Sequence, residues 1–264
     1  MNKIKKLENN TKKKEAIMKN IEIKNGINLH IIKTNKFKTN LLSVFLSTPL
    51  RKEKVTQNAL IPAILRRGTV NMKTQDEISM ALEEMYGATF DCGIDKIGDN
   101  HVFKFYFESI NDLFLPQNEE NMLKESIDKL LEIVCNPYIE NNSFNEEYVE
   151  QEKENIKRRI EAKVDNKARY AIDRCIEEMY KNEPYGLYKY GYVEDLEKIT
   201  TENLYEYYNK LINECKIDIF ISGEISDETS ALVKDNDKIK KLRERDAIYV
   251  INNIDKKLNI AEEI

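Results

Sequence analysis

Apolar and polar residues alternate on both sides of Asn25-Gly26 across 21–33 (IEIKNGINLHIIK), and this period of two predicts a β-hairpin turning on the Asn-Gly pair. Residues 40–47 (NLLSVFLS) form an apolar run of strand length, suited to the centre of a sheet. A short helix is expected over 57–67, ending at the turn Arg66-Arg67-Gly68-Thr69. Thr74-Gln75-Asp76-Glu77 has the spacing of a capping box, in which Thr74 accepts from the amide near Glu77 and Glu77 reaches back. The helix it opens carries Ile78, Leu82 and Met85 on one face and stops at Gly87.

Residues 89–97 and 101–108 read as a second hairpin about Gly98-Asp99-Asn100. Phe90, Cys92 and Ile94 alternate on one arm and Phe103, Phe105 and Phe107 on the other, so one face must be buried. Leu123, Ile127, Leu130, Leu131 and Val134 make the stripe of a helix that ends before Asn136-Pro137. Ser143-Phe144-Asn145-Glu146 repeats the capping-box spacing and opens a helix to about 164. A further helix covers 167–181, a Tyr- and Gly-rich loop 184–192, and Thr201 is expected to cap a helix reaching 212. The last strand is 215–222 (CKIDIFIS), stopped by Gly223. This order predicts an α+β domain, an antiparallel-rich sheet covered by helices on one side. Residues 1–20 read as a disordered basic leader with no apolar segment behind its charges. The compact domain is expected over 21–224, and 225–264, charged and weakly periodic, as a linker or tail.

Composition acts mainly by exclusion. The chain of 264 residues has 41% hydrophobic residues, enough for a real core, and no apolar stretch of transmembrane length. A net charge of −5 implies no general affinity for nucleic acid, and Arg66-Arg67 and Arg158-Arg159 are too short to make a patch. No membrane partner is expected, and the default compartment is the cytoplasm. Cys92, Cys135, Cys175 and Cys215 are widely spaced with no C-x-x-C pair, which encodes neither a zinc ribbon nor a redox motif and suits reduced, mostly buried thiols. The two histidines, His30 and His101, each fall in a predicted strand far from one another, whereas a helical zinc site needs two ligands one turn apart. No phosphate-binding loop, nucleophile elbow or dinucleotide fingerprint is present, and no cofactor is expected.

One polar residue stands out. On the helix from Ser143, Val149, Ile156 and Ile160 define the apolar stripe, and Glu152 falls on the same stripe. A carboxylate facing the core must be paired or reach water. Arg159, two turns on, and Arg66 or Arg67 from the earlier helix are its candidate partners, in an ion pair between helices or in a catalytic role.

The helix over 57–67 (QNALIPAILRR, closing on Gly68-Thr69) and the helix bearing Glu152 together resemble the two halves of the active-site signature of insulinase/pitrilysin-type metallopeptidases. That family carries the zinc motif His-x-x-Glu-His on the first helix and a third zinc ligand in a pattern Glu-Arg/Lys-x-x-apolar-x-x-Glu-apolar on the second. Counting back from Gly68-Thr69, the motif positions are Ala59, Pro62 and Ala63, none of which binds a metal or moves a proton. In the second pattern, matched from Glu152 to Ile160, Glu152 is kept and the zinc-binding Glu is Arg159, a fixed positive charge where the cation would be. The wording of 146–154 (EEYVEQEKE), Tyr170-Ala171, Glu177-Glu178-Met179 and Glu183-Pro184-Tyr185-Gly186-Leu187 resembles the zinc-less YfmF-type branch.

The resemblance implies a single insulinase-like (LuxS/MPP-like) metallopeptidase domain, the N-terminal of a two-domain chain, that is no enzyme. It implies a partner: an active homologue with His-x-x-Glu-His, or the second family domain, which these 264 residues do not contain. It further implies an association with modification of elongation factor EF-P. In active relatives, peptides add as an extra strand to the sheet edge after the Gly-terminated helix. The corresponding segment here is 88–95, with Ala88, Thr89, Phe90, Asp91 and Cys92 as the candidate peptide-binding edge unless neighbouring structure covers it. Tyr185, Tyr188, Tyr190 and Tyr192 line a contact surface or serve ordinary packing.

Overall fold

Asn25-Gly26 turns the chain between Ile17–Lys24 (β1) and Ile27–Lys33 (β2), with Gly26 at φ 78°, the left-handed conformation that a tight turn demands. The computed structural model describes residues 17–116, 121–226, 228–246 and 249. Thr39–Pro49 (β3) follows, then two helices, Lys52–Leu65 (α1) and Gln75–Glu84 (α2). The second hairpin is Thr89–Ile97 (β4) with Asn100–Ile110 (β5), and Met122–Cys135 (α3) follows it. A two-stranded hairpin, Ile139–Glu140 (β6) and Ser143–Phe144 (β7), leads into the helices Glu146–Glu161 (α4), Lys167–Met179 (α5), Val193–Leu196 (α6) and Thr201–Glu214 (α7). Lys216–Gly223 (β8), Thr229–Lys234 (α8) and Asp237–Lys241 (α9) complete the described chain. None of its helices is long and apolar enough to cross a membrane.

The main sheet has the order β1-β2-β8-β3-β5-β4. Only the β2–β8 pairing is parallel, so the expected antiparallel-rich α+β fold is the one found. Register explains which face the helices cover. Leu42, Val44 and Leu46 of β3 stand opposite Ile221, Ile219 and Ile217 on one side and Phe107, Phe105 and Phe103 on the other. All nine are buried and face the helices. Each contributes on the order of 1.5–3 kcal/mol by leaving water. α1 supplies Leu60, Ile61, Ile64 and Leu65 to this layer, α3 Leu130 and Leu131, and α7 Leu204 and Leu211. The opposite face carries half-buried Phe45, Tyr106 and Phe220, with His30 stacked on Phe220 at 4.3 Å between ring centres.

Several boundaries depart from the sequence reading. The compact unit does not stop near Glu224. Val233, Ile239 and Leu242 of the presumed tail are buried in the main core, and Arg245 donates from Nη1 to the carbonyl of Ile212 at 2.6 Å. These helices are too short to show a period, six and five residues, yet α8 offers Leu232 and Val233 to the core and α9 Ile239. The presumed leader lies mostly outside the described residues, but 17–20 belong to β1, where Met18, Lys19 and Asn20 pair with β2. Helix α1 starts at Lys52, directly after β3, so Pro62 lies near its end and not its beginning. A proline there removes the amide that would bond the carbonyl of Asn58. The caps also shift. Asn145, not Ser143, caps α4 by accepting from the Tyr148 amide, because Ser143 is committed to β7. Thr200, not Thr201, caps α7 in a capping box with Asn203. Thr74 does cap α2, but Glu77 accepts from the amide of Lys73 and not of Thr74.

Candidate functional site

Helix α1 turns its large apolar residues to the sheet, which leaves the small Ala59, Pro62 and Ala63 beside a cavity of about 460 Å3. The opposite wall is α4, the floor is β4 at Cys92, Gly93 and Ile94, and Tyr190 of the 184–192 loop closes one side. Glu152 and Arg159 both line this space, so the structure brings together all five residues singled out on the two helices. Of the candidate edge, only Cys92 reaches it; Thr89, Phe90 and Asp91 lie further along the strand and Ala88 just before it. That strand is an edge of the sheet, with β5 its only strand partner among the described residues.

The turn after α1 fixes this wall. A Cβ at Gly68 would stand 2.3 Å from the carbonyl oxygen of Lys73, so only glycine permits the approach. Thr69 is fully buried, donates from Oγ1 to Glu132 Oε1 at 2.7 Å and accepts from the Met72 amide at 2.9 Å. Arg67, placed by this turn, sends Nε and Nη2 to Glu152 Oε1 at 2.6 and 2.5 Å. Asn155 Nδ2 donates to Glu152 Oε2 at 3.2 Å. Arg67, of the three arginines considered, is thus the partner of Glu152. Arg159 does not pair with it but lies over the Tyr190 ring, its guanidinium carbon 4.9 Å from the ring centre. A residue two turns along a helix sits about 10 Å away, too far for a direct pair unless both side chains lean together.

The chemistry available is that of binding. Zinc needs neutral imidazoles, thiolates or carboxylates, whereas the four family positions present two methyl groups, a proline ring and a guanidinium, so the donor set does not fit the metal. Among the described residues no group of three His, Cys, Asp or Glu side chains converges anywhere on a common point. Cys92 donates its thiol to the Pro62 carbonyl at 3.3 Å, and burial, opposed by the Arg66 charge, pushes it up to about 12. It is a neutral thiol at physiological pH and no nucleophile. His101 is fully buried beneath α1. Its Nε2 donates to the Lys189 carbonyl at 3.0 Å, its Nδ1 accepts from Asn58 Nδ2 at 3.0 Å, and Tyr207 donates to Asn58 Oδ1 at 2.6 Å. Burial first, with the charges of Lys96 and Lys189 adding, takes this imidazole down to about 3 against the pull of the Lys189 carbonyl. Both nitrogens are committed, so it carries no proton to the cavity.

The sequence reading did not find Asn58 or Lys96, and it named Tyr190 only as one of four loop tyrosines, not as a wall of this cavity. Asn58 is the one polar side chain at the head of the apolar run 59–65, the signal that could have marked it. Lys96 Nζ donates to the carbonyls of Tyr185 and Leu187 at 2.6 and 2.7 Å, and Tyr192 donates its amide to Thr56 Oγ1 at 3.1 Å, so the tyrosine loop is clamped onto β4 and α1. Four of its tyrosines face cations: Tyr185 under Lys96, Tyr188 under Lys163, Tyr190 under Arg159 and Tyr192 under Lys52.

No family model matches the sequence. The chain is 36% identical over 229 residues to the probable inactive metalloprotease YmfF of Bacillus subtilis (strain 168), covering 86% of this chain and 53% of that protein. The branch therefore takes the name YmfF, not YfmF. Among solved structures, a conserved protein from Enterococcus faecalis V583 superposes with a TM-score of 0.78 at 31% identity, over 86% of this chain and 53% of that one. The peptidase M16 inactive domain from Pseudomonas fluorescens does so at 0.68 and 16% identity, over 89% and 53%, which shows the shared fold. The chain thus spans about half the length of the relatives it matches.

Proposed function

The chain belongs to the insulinase-type (M16) metallopeptidase family as a zinc-less domain of it, and on that premise we propose that it binds a peptide or a partner chain without cleaving it. One observation carries this reading. The cavity that gathers Ala59, Pro62, Ala63 and Arg159 contains no ligand set for zinc, while the Arg67–Glu152 pair holds its two walls together. The edge of β4 beside the cavity, unpaired among the described residues, supports the peptide-binding half of the reading, since such an edge binds backbone without a metal. The lengths of the relatives support a partner that is a second insulinase-type domain, in the same or another polypeptide.

Purified protein, assayed by plasma mass spectrometry after dialysis, is expected to carry far less than one zinc per chain and to leave unstructured peptides uncut. One tightly held zinc per chain would overturn the reading. A second arm adds a homologue bearing His-x-x-Glu-His. If peptide cleavage by that mixture drops when this chain carries Glu152→Gln, the protein contributes to chemistry and is a subunit of a heteromeric zinc peptidase. We place the partner function beside EF-P modification. Deleting the gene is expected to leave a fraction of EF-P unmodified by intact mass, and an unchanged mass spectrum removes that link.

A further inference from the structure

The cavity between α1, α4 and β4 is unusually cationic for a protein of net charge −5. Its lining holds three guanidinium groups, Arg66, Arg67 and Arg159, against one carboxylate, Glu152. Arg67 and Glu152 neutralise each other. Arg66 has no side-chain hydrogen bond or ion pair among the described residues, and Arg159 has only the Tyr190 ring. Two positive charges, on half-buried Arg66 and exposed Arg159, therefore line this space with no carboxylate paired to them among the described residues. Arginine forks match carboxylates in geometry, and a partly enclosed site screens their charge less than open solvent does.

The strand beside the cavity limits the source of such a carboxylate. Phe90, Cys92 and Ile94 stand opposite Phe107, Phe105 and Phe103 and share the helix-facing side, so that side of β4 is also the cavity side. The cavity meets β4 at Cys92, Gly93 and Ile94, in the middle of a strand that runs from Thr89 to Ile97. A segment paired along β4 passes the cavity in mid-chain and turns every second side chain toward it.

We propose that the emptied metal site is a carboxylate pocket: an extended segment adds to the β4 edge and seats one Asp or Glu side chain between Arg66 and Arg159. This rests on the peptide-binding reading above and adds the chemistry of the anchor. Overall negative charge disfavours non-specific binding of an acidic peptide, so a carboxylate preference requires a local cluster of positive charge such as this one.

The test uses the whole chain and rhodamine-labelled ten-residue Thr/Val peptides, amidated at the C-terminus, carrying Glu or Gln at one central position and read by fluorescence anisotropy. The Glu peptide is expected to bind at least tenfold more tightly than the Gln peptide. Arg66→Ala with Arg159→Ala, two side chains outside the core, is expected to keep the unfolding midpoint and to bind both peptides equally. Equal binding of the two peptides by the unaltered protein overturns the carboxylate pocket while leaving peptide binding intact. A Glu preference that survives the double substitution overturns it as well. Absence of binding by every peptide, together with a free C-terminal carboxylate version, overturns both the pocket and the peptide reading.

Discussion

Arg67→Ala is expected to lower the stability of the folded chain by about 3 kcal/mol, among the larger effects of any single substitution outside the apolar core. Glu152 sits on the buried stripe of α4 with its side chain only 10% exposed, and Arg67, 20% exposed, gives it one of its two side-chain hydrogen bonds and an ion-pair contact from Nη2. Removing the guanidinium leaves a carboxylate among Val149, Ile156 and the wall of α1 with only the amide of Asn155 for company. Removing both charges is a different experiment. Arg67→Leu with Glu152→Leu takes away the desolvation cost along with the attraction, and is expected to recover more than half of the loss. Urea unfolding of the parent, Arg67→Leu, Glu152→Leu and the double variant reads the coupling directly, expected at about 1–3 kcal/mol. A coupling near zero, or an Arg67→Ala variant as stable as its parent, shows that the two helices are held by apolar packing alone.

Most of the sheet was legible because its signals are local. Alternation in 89–97 and 101–108 fixes which residues share a face, and Phe103, Phe105 and Phe107 lie where that period puts them. The cavity was legible for another reason: α1 and α4 each carry half of a spaced pattern, and a pattern of spacings survives when the side chains in it change. What failed was whatever depends on contacts between distant segments. Asn58, His101 and Tyr207 form one chain of hydrogen bonds, yet their sequence neighbourhoods say nothing of one another. The choice of Arg67 over Arg159 for Glu152 depends on where the Gly68-Thr69 turn aims the chain, and on Tyr190 offering Arg159 another place. The packing of α8 and α9 hangs on Leu232, Val233 and Ile239, in helices of six and five residues that are too short for a periodic argument to detect.

The same buried histidine gives the protein a specific weakness to acid. In the folded chain His101 stays neutral down to about pH 3, because burial disfavours the imidazolium and Lys96 and Lys189 repel it, which together outweigh the Lys189 carbonyl and the Asp95 charge. Once unfolded, it takes a proton at about pH 6.5 like any other histidine. Above that pH both states are neutral and the histidine makes no difference. As the pH falls below it, the unfolded chain binds a proton that the folded chain refuses, so stability is lost progressively toward pH 3. The loss amounts to about 2 kcal/mol between pH 6 and pH 4. Carboxylates elsewhere also titrate in that window, so the effect has to be read as a difference. His101→Gln keeps an amide able to donate to the Lys189 carbonyl and cannot titrate. It is expected to be less stable than the parent at pH 7, where it loses packing against Phe103, and to close that gap by about 3 kcal/mol as the pH is lowered to 4. Urea unfolding of the two proteins at matched pH values measures the gap. Parallel stability curves from pH 7 to pH 4 would mean that His101 takes up its proton in the folded state, and that the bond between Asn58 and its Nδ1 breaks long before the fold does.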